Sequence, residues 1–178
     1  MTLNLLIDQV RAAAASRTSL RIRGGGSKDF YGQSLEGDVL DTRYWSGIIS
    51  YEPSELVVTA RAGTPLVELE AALAEKGQCL PFEPPHYENT GPDRVATVGG
   101  MVASALSGPA RASAGGVRDY MLGVQIINGP IGKLGMVGGR PLLITGKDLD
   151  AEARAVRVST PEGESLRLFH QSRLARVS

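Results

Sequence analysis

The chain has 178 residues, 42% of them hydrophobic, and its 19 Lys and Arg balance 19 Asp and Glu. That length suffices for one well-buried domain or one domain with an appendage, and the even charge gives no pull toward nucleic acid or anionic lipid. The only cysteine, Cys79, excludes an intrachain disulfide and fits a reducing compartment; with just His86 and His170 beside it, no metal site is expected.

Leu3, Leu6, Ile7 and Val10 recur at helical spacing ahead of four alanines, predicting an amphipathic helix over about residues 3 to 16. Asp8 and Arg11 interrupt it and no basic segment precedes it, so a signal peptide is not expected here. No apolar run approaches the ~20 residues of a membrane-spanning helix. Ser19 to Arg23 alternates as a short strand that runs into Gly24-Gly25-Gly26. SGIISY (Ser46 to Tyr51) and LVVTAR (Leu56 to Arg61) predict two strands around Pro53-Ser54. In GTPLVELEAALAEKG, Thr64 is the expected N-cap and Pro65 the first helical residue; Leu66, Leu69 and Leu73 form the buried stripe, and Gly77 ends the helix.

QCLPFEPPHYENTGPD is proline-rich and aperiodic, hence loop. Residues 95 to 129 are glycine-rich, with one or two helical turns in Met101 to Leu106 and a strand at Met121 to Ile127 entering a turn at Asn128-Gly129. Further on, ARAVRVS and ESLRLF predict a β-hairpin around Pro161-Glu162-Gly163, before a short basic tail, HQSRLARVS, that is expected to fray. The element order indicates an α+β or α/β layered fold.

Glycine is the compositional outlier, 22 of 178 residues, about 12% against a usual ~7%. RGGGSK lacks the spacing of a P-loop, and with Asp29 in place of a third glycine and no helical pattern after it, it is not a Rossmann fingerprint. A nest of backbone N–H groups for an anion remains, flanked by Arg23 and Lys28; a tight surface turn accounts for an isolated triple glycine equally well. The second cluster, Ala96-Thr97-Val98-Gly99-Gly100, adds the hydroxyls of Thr97 and Ser104, and Gly108, Gly115 and Gly116 extend it to Arg118-Asp119. Two such loops suit an extended ligand with a pyrophosphate and a ring system, as in a dinucleotide.

RIRGGGSKDFYG, SYEPSELVVTARAGTPLVELEAALAEKGQCLPFEPP and ATVGGMVASALSGPARASAGGVRDYMLGVQIING together resemble the FAD-binding domain of the p-cresol methylhydroxylase/vanillyl-alcohol oxidase (PCMH) type, and more narrowly the FAD-binding E subunits of bacterial glycolate oxidases. The resemblance runs from about residue 5 to about residue 129. It implies an α+β fold with two small α/β subdomains, residues 1–129 forming the FAD domain and 130–178 a divergent segment. The cap domain of the family is not expected here, because Gly138-Gly139 alone echoes the pattern that follows in its members.

The resemblance also implies roles. Arg23, Gly24, Gly25, Gly26, Ser27 and Lys28 would surround the FAD pyrophosphate. Pro81, with Ala96, Thr97, Val98, Gly99 and Gly100, would line the flavin and ribityl chain. Ser104, Gly108, Gly115 and Asp119 would continue the path, with Val124 and Ile126 near the adenine. Covalent members hold a histidine where this chain has Ser27, so FAD is expected to be non-covalent. The implied activity is hydride transfer from a small 2-hydroxy acid to FAD, in a cytoplasmic complex with a larger FAD subunit and an iron–sulfur subunit through which any membrane association would come. The alternative is a degenerate domain that serves as a non-catalytic interaction or scaffolding subunit. His86 and Tyr87 are the only groups near the flavin segment suited to acid–base work. His86 reads better as an exposed or structurally bonded imidazole, Arg118-Asp119 as a salt bridge, and Trp45 as core or partner-facing. No catalytic residue is named.

Overall fold

The computed structural model describes residues 3–33, 36–87 and 94–128, and beyond them strands at 132–137, 140–142, 155–159, 165–168 and 175–176. The expected first helix is α1, Leu3–Ser16, with Leu6, Ile7 and Ala13 buried. Strand β1, Leu20–Arg23, runs parallel to β2, Asp38–Asp41, from Leu20↔Asp38 to Arg23↔Asp41. Strands β3, Ile48–Glu52, and β4, Val57–Ala60, pair antiparallel with a register shift between Ile48 and Ser50.

Helix α2 spans Leu66–Ala74 and supplies the centre of the core through Leu66, Leu69 and Leu73. Phe82, Ala96, Met101 and Val117 complete that cluster, with Ile48, Tyr51 and Val58 of the β3–β4 hairpin packed against it. Burying each such aliphatic side chain contributes about 1.5–3 kcal/mol. Gly77, at φ +63°, ends the helical segment and donates its N–H to Ala74 O. Downstream, β5 covers Gln78–Cys79 and pairs antiparallel with β11, Ala175–Arg176. Helix α3 is Val98–Ser104, α4 is Arg111–Ala114, and a 3-10 turn follows at Val117–Tyr120. A meander of β6, Val124–Asn128, β7, Gly132–Val137, and β8, Arg140–Leu142, lies astride residue 129. The predicted hairpin is present as β9, Ala155–Ser159, paired with β10, Ser165–Leu168. Its turn, Gly129, Gly138-Gly139 and most of the basic tail lie outside the described residues.

Two local expectations are corrected. Thr64 does not cap α2, because Pro65 is the N-cap residue and makes no side-chain cap bond. The fully buried Thr64 hydroxyl instead accepts from Gly47 N at 2.9 Å and donates to Gly47 O at 3.1 Å, joining the start of β3 to the entrance of α2. Arg118 and Asp119 form no ion pair; Asp119 Oδ2 accepts from Gly116 N at 2.8 Å and closes the 3-10 turn. A third brace runs from Tyr51, whose hydroxyl donates to Gln78 Oε1 at 2.7 Å, through Gln78 Nε2 to Pro53 O at 2.8 Å.

Thr64→Val keeps the shape of the side chain but strands the Gly47 N–H in a part-buried site, while the Gly47 C=O keeps the Arg61 N–H at 3.1 Å. It should lower the unfolding free energy by about 1–3 kcal/mol in urea titration. Thr59→Val on the exposed face of β4 should stay within about 0.5 kcal/mol of the parent.

Candidate anion and cofactor site

The glycine loop after β1 is built against residues 95–97. Gly26 bridges Val95 in parallel, and Thr97 bridges Pro65 antiparallel. A Cβ on Gly25 would lie 1.8 Å from Val95 O, and one on Gly24 would lie 2.6 Å from Thr97 Oγ1. Gly26 has φ +73° and turns the chain, with Asp29 N–H donating back to Gly26 O at 3.1 Å. Part of the answer to why three glycines occur here is therefore protein against protein: Gly25 lets the Val95 backbone approach, and Gly24 the Thr97 side chain.

Around this seam opens a cavity of about 510 Å³. Eight of the predicted residues line it: Arg23, Gly24, Gly25, Gly26, Ser27, Lys28, Thr97 and Gly100. Arg21, Ile22, Asp29 and Tyr31, which sequence reasoning missed, line it too. The signal for Arg21 was available, since strand alternation sets residues 21 and 23 on one face.

Arg23 Nη2 lies 2.6 Å from Asp29 Oδ2, and Arg21 Nη2 lies 3.7 Å from Asp29 Oδ1. The Arg23 hydrogen bond, aided by the charges of Arg21 and Arg94, holds the Asp29 carboxyl below the usual carboxylate range. Asp29 is thus an anion already claimed by the arginines. Lys28 has no carboxylate partner among the described residues, and burial pushes its ammonium pKa down. Three cations against one carboxylate leave the cavity positive. Ser27 is 5% exposed, lines the cavity and has no hydrogen-bond partner among the described residues. An unbonded hydroxyl that opens into a cavity with surplus positive charge fits the oxygens of a phosphate or pyrophosphate.

The other predicted residues occupy different places. Val98 N–H donates to Thr64 O at 2.9 Å, Gly99 N–H to Ala62 O at 2.8 Å, and Gly100 N–H to Thr97 Oγ1 at 3.2 Å. The first turn of α3 therefore directs its amides into the protein. Ala96 is in the core and its carbonyl accepts from Leu66 N–H at 2.8 Å. Ser104 bonds Met101 O in its own helix. Gly108, at φ +68°, lies against Glu83, and Gly115, at φ +92°, against Asp119. These three positions, with Pro81, Val124 and Ile126, do not line the cavity. His86 Nε2 sits 3.0 Å from Glu70 Oε2, a structural bond as expected. Trp45 is covered by the Arg61 guanidinium at 4.5 Å.

A positive, glycine-walled cavity at a strand end, on an α+β scaffold, defines a class of anionic-cofactor binder. The chain matches the FAD binding domain family over residues 2–137 and belongs to it. It is 49% identical over 145 residues to glycolate oxidase subunit GlcE of Escherichia coli (strain K12), which covers 81% of this chain and 40% of that relative. The chain thus spans about two fifths of the length of that curated relative. The fold is shared with alkyldihydroxyacetonephosphate synthase, at TM-score 0.59 and 19% identity over 78% of this chain and 26% of that one. Aclacinomycin oxidoreductase gives TM-score 0.56 and 21% identity, covering 77% and 27%. The resemblance read from the motifs, the α+β FAD-binding fold and FAD as the cofactor all agree with these findings.

Two expectations follow from the geometry. Gly25→Ala should lower the melting temperature of the ligand-free chain, because its Cβ meets a backbone carbonyl, whereas Gly32→Ala meets nothing within 4 Å. The latter bears only the penalty of its φ of +90°, about 1 kcal/mol. Asp29, with its lowered pKa, stabilises the fold fully above its unfolded value and loses that contribution as pH falls through the folded one. A carboxyl-carbon NMR titration should find its midpoint below 3.8, and Arg23→Gln should raise it.

Proposed function

We propose that this chain is the FAD-binding part of a glycolate-type, 2-hydroxy-acid oxidase complex, working beside a larger FAD subunit and an iron–sulfur subunit. The observation that carries the reading is the unpartnered Ser27 hydroxyl within a net-positive, glycine-lined cavity, in a chain 49% identical to a glycolate oxidase subunit. When bound, FAD supplies a two-electron acceptor for the hydride of a 2-hydroxy acid.

In this reading Arg23 and Lys28 neutralise the pyrophosphate, Ser27 donates to one of its oxygens, and Gly24 to Gly26 keep side chains out of its path. Thr97 and Gly100 form the opposite wall. Serine cannot form the ring linkage of a histidine, so the cofactor is held without a covalent bond. No helix among the described residues is long and apolar enough to cross a membrane, and the proposed setting is cytoplasmic, with membrane contact through partners.

The test is the visible spectrum of the purified chain after incubation with FAD and desalting. A retained flavin band that is fully released by acid denaturation supports non-covalent binding. A colourless, folded protein whose melting temperature ignores added FAD overturns the reading. Ser27→Ala should weaken FAD binding about tenfold, the effect of one hydrogen bond to a charged group. It should leave the ligand-free melting temperature unchanged, since the hydroxyl bonds nothing within the fold.

A further inference from the structure

Lys28 stands apart from the other cations of the cavity. Arg21 and Arg23 both reach Asp29, whereas the Lys28 ammonium lies 5.7 Å from the centroid of the Tyr87 ring. The same ring meets Phe30 edge-on at 5.3 Å. Phe30 and Lys28 belong to the segment that follows the triple glycine, while Tyr87 belongs to the proline-rich segment after β5. Two stretches distant in sequence therefore meet through one aromatic ring at the side of the cavity.

Tyr87 is held there from two directions. Its backbone has φ +54°, a left-handed conformation costly for a residue with a side chain, so the surroundings fix it. The preceding residue, His86, is bonded to Glu70 on α2, whose buried leucines form the core. A flexible four-carbon lysine stem would otherwise spread its ammonium over many rotamers. A ring face attracts the ammonium without using up its N–H donors. The cation can then stay over the ring while its donors point at an anion.

We propose that Tyr87 is a positioning residue for the anionic ligand: pinned through His86–Glu70, its ring holds Lys28 ready at the glycine loop. The inference rests on the reading of that loop as a pyrophosphate site. It makes the proline-rich segment part of the binding apparatus, although none of its described residues lines the cavity. Tyr87→Phe keeps the ring face, whereas Tyr87→Leu keeps bulk and apolarity but removes it.

The experiment is calorimetric titration of the full chain with ADP as probe, on Tyr87→Leu, Tyr87→Phe, Lys28→Met and the Leu/Met double variant. Tyr87→Leu should weaken ADP binding about threefold, the size of one partly exposed cation–π contact, and Tyr87→Phe should restore it. The Lys28 side-chain protons should show a ring-current displacement in NMR that Tyr87→Leu abolishes and Tyr87→Phe retains. Once Lys28 is methionine, Tyr87→Leu should cost nothing more, because the two residues act as one unit. If Tyr87→Leu binds like the parent, or its loss simply adds to that of Lys28→Met, the positioning role is overturned while the loop reading stands. If Lys28→Met binds ADP like the parent, or the parent binds none, the loop reading fails and the positioning role fails with it.

Discussion

The structure depends on a seam of backbone against backbone at residues 95–99. On one side Val95 and Thr97 lie against the glycine loop so closely that neither Gly24 nor Gly25 has room for a Cβ. On the other, a Cβ on Gly99 would meet the Ala62 Cβ at 2.8 Å and the Ala62 carbonyl at 2.9 Å. Hydrogen bonds lock this second side: Leu66 N–H to Ala96 O, Val98 N–H to Thr64 O and Gly99 N–H to Ala62 O, all within 2.9 Å. Thr64 then reaches back to Gly47, and Ala96 enters the core beside Leu66. One extended stretch thus ties the loop after β1, the entrance of α2 and the start of α3 into a single arrangement.

That seam bears on where the proposed anion site lies. Helix N-termini attract anions when their first amides are free. Here the first three amides of α3 already have partners in the protein. The positive character of the cavity therefore comes from side chains: Arg21 and Arg23 on one face of β1, and Lys28 beyond the turn at Gly26. Asp29 braces the two arginines and tempers their charge without cancelling it.

Much of this was legible in the sequence where period and local chemistry suffice. The apolar spacing of α1, the leucine stripe of α2 and the β-branched runs of β3 and β4 all appear where the pattern puts them, within a few residues. Strand β2 was not legible: in Asp-Val-Leu-Asp only Leu40 is buried, and the partner strand lies well upstream in the sequence. Helix α4, Arg-Ala-Ser-Ala, is too short to display a period. Thr64 followed by proline carries the mark of a helix cap, but a contact with Gly47 across the fold wins the hydroxyl. Tertiary contacts of that kind leave no local trace.

The glycines show the same limit from the side of function. A glycine required by a ligand and one required by a neighbouring backbone look identical in a sequence, because both record only that a Cβ does not fit. Gly24 and Gly25 meet protein on the side where their side chains would be, yet both also border the cavity. The two demands are compatible because the seam flattens the loop from behind and so leaves its other face open. Removing side chains for the sake of packing would also remove them from the path of the proposed phosphate. The loop is shaped from within the fold, and in the proposed reading the contacts to a phosphate fall to the residues that do have side chains there: Arg23, Ser27 and Lys28.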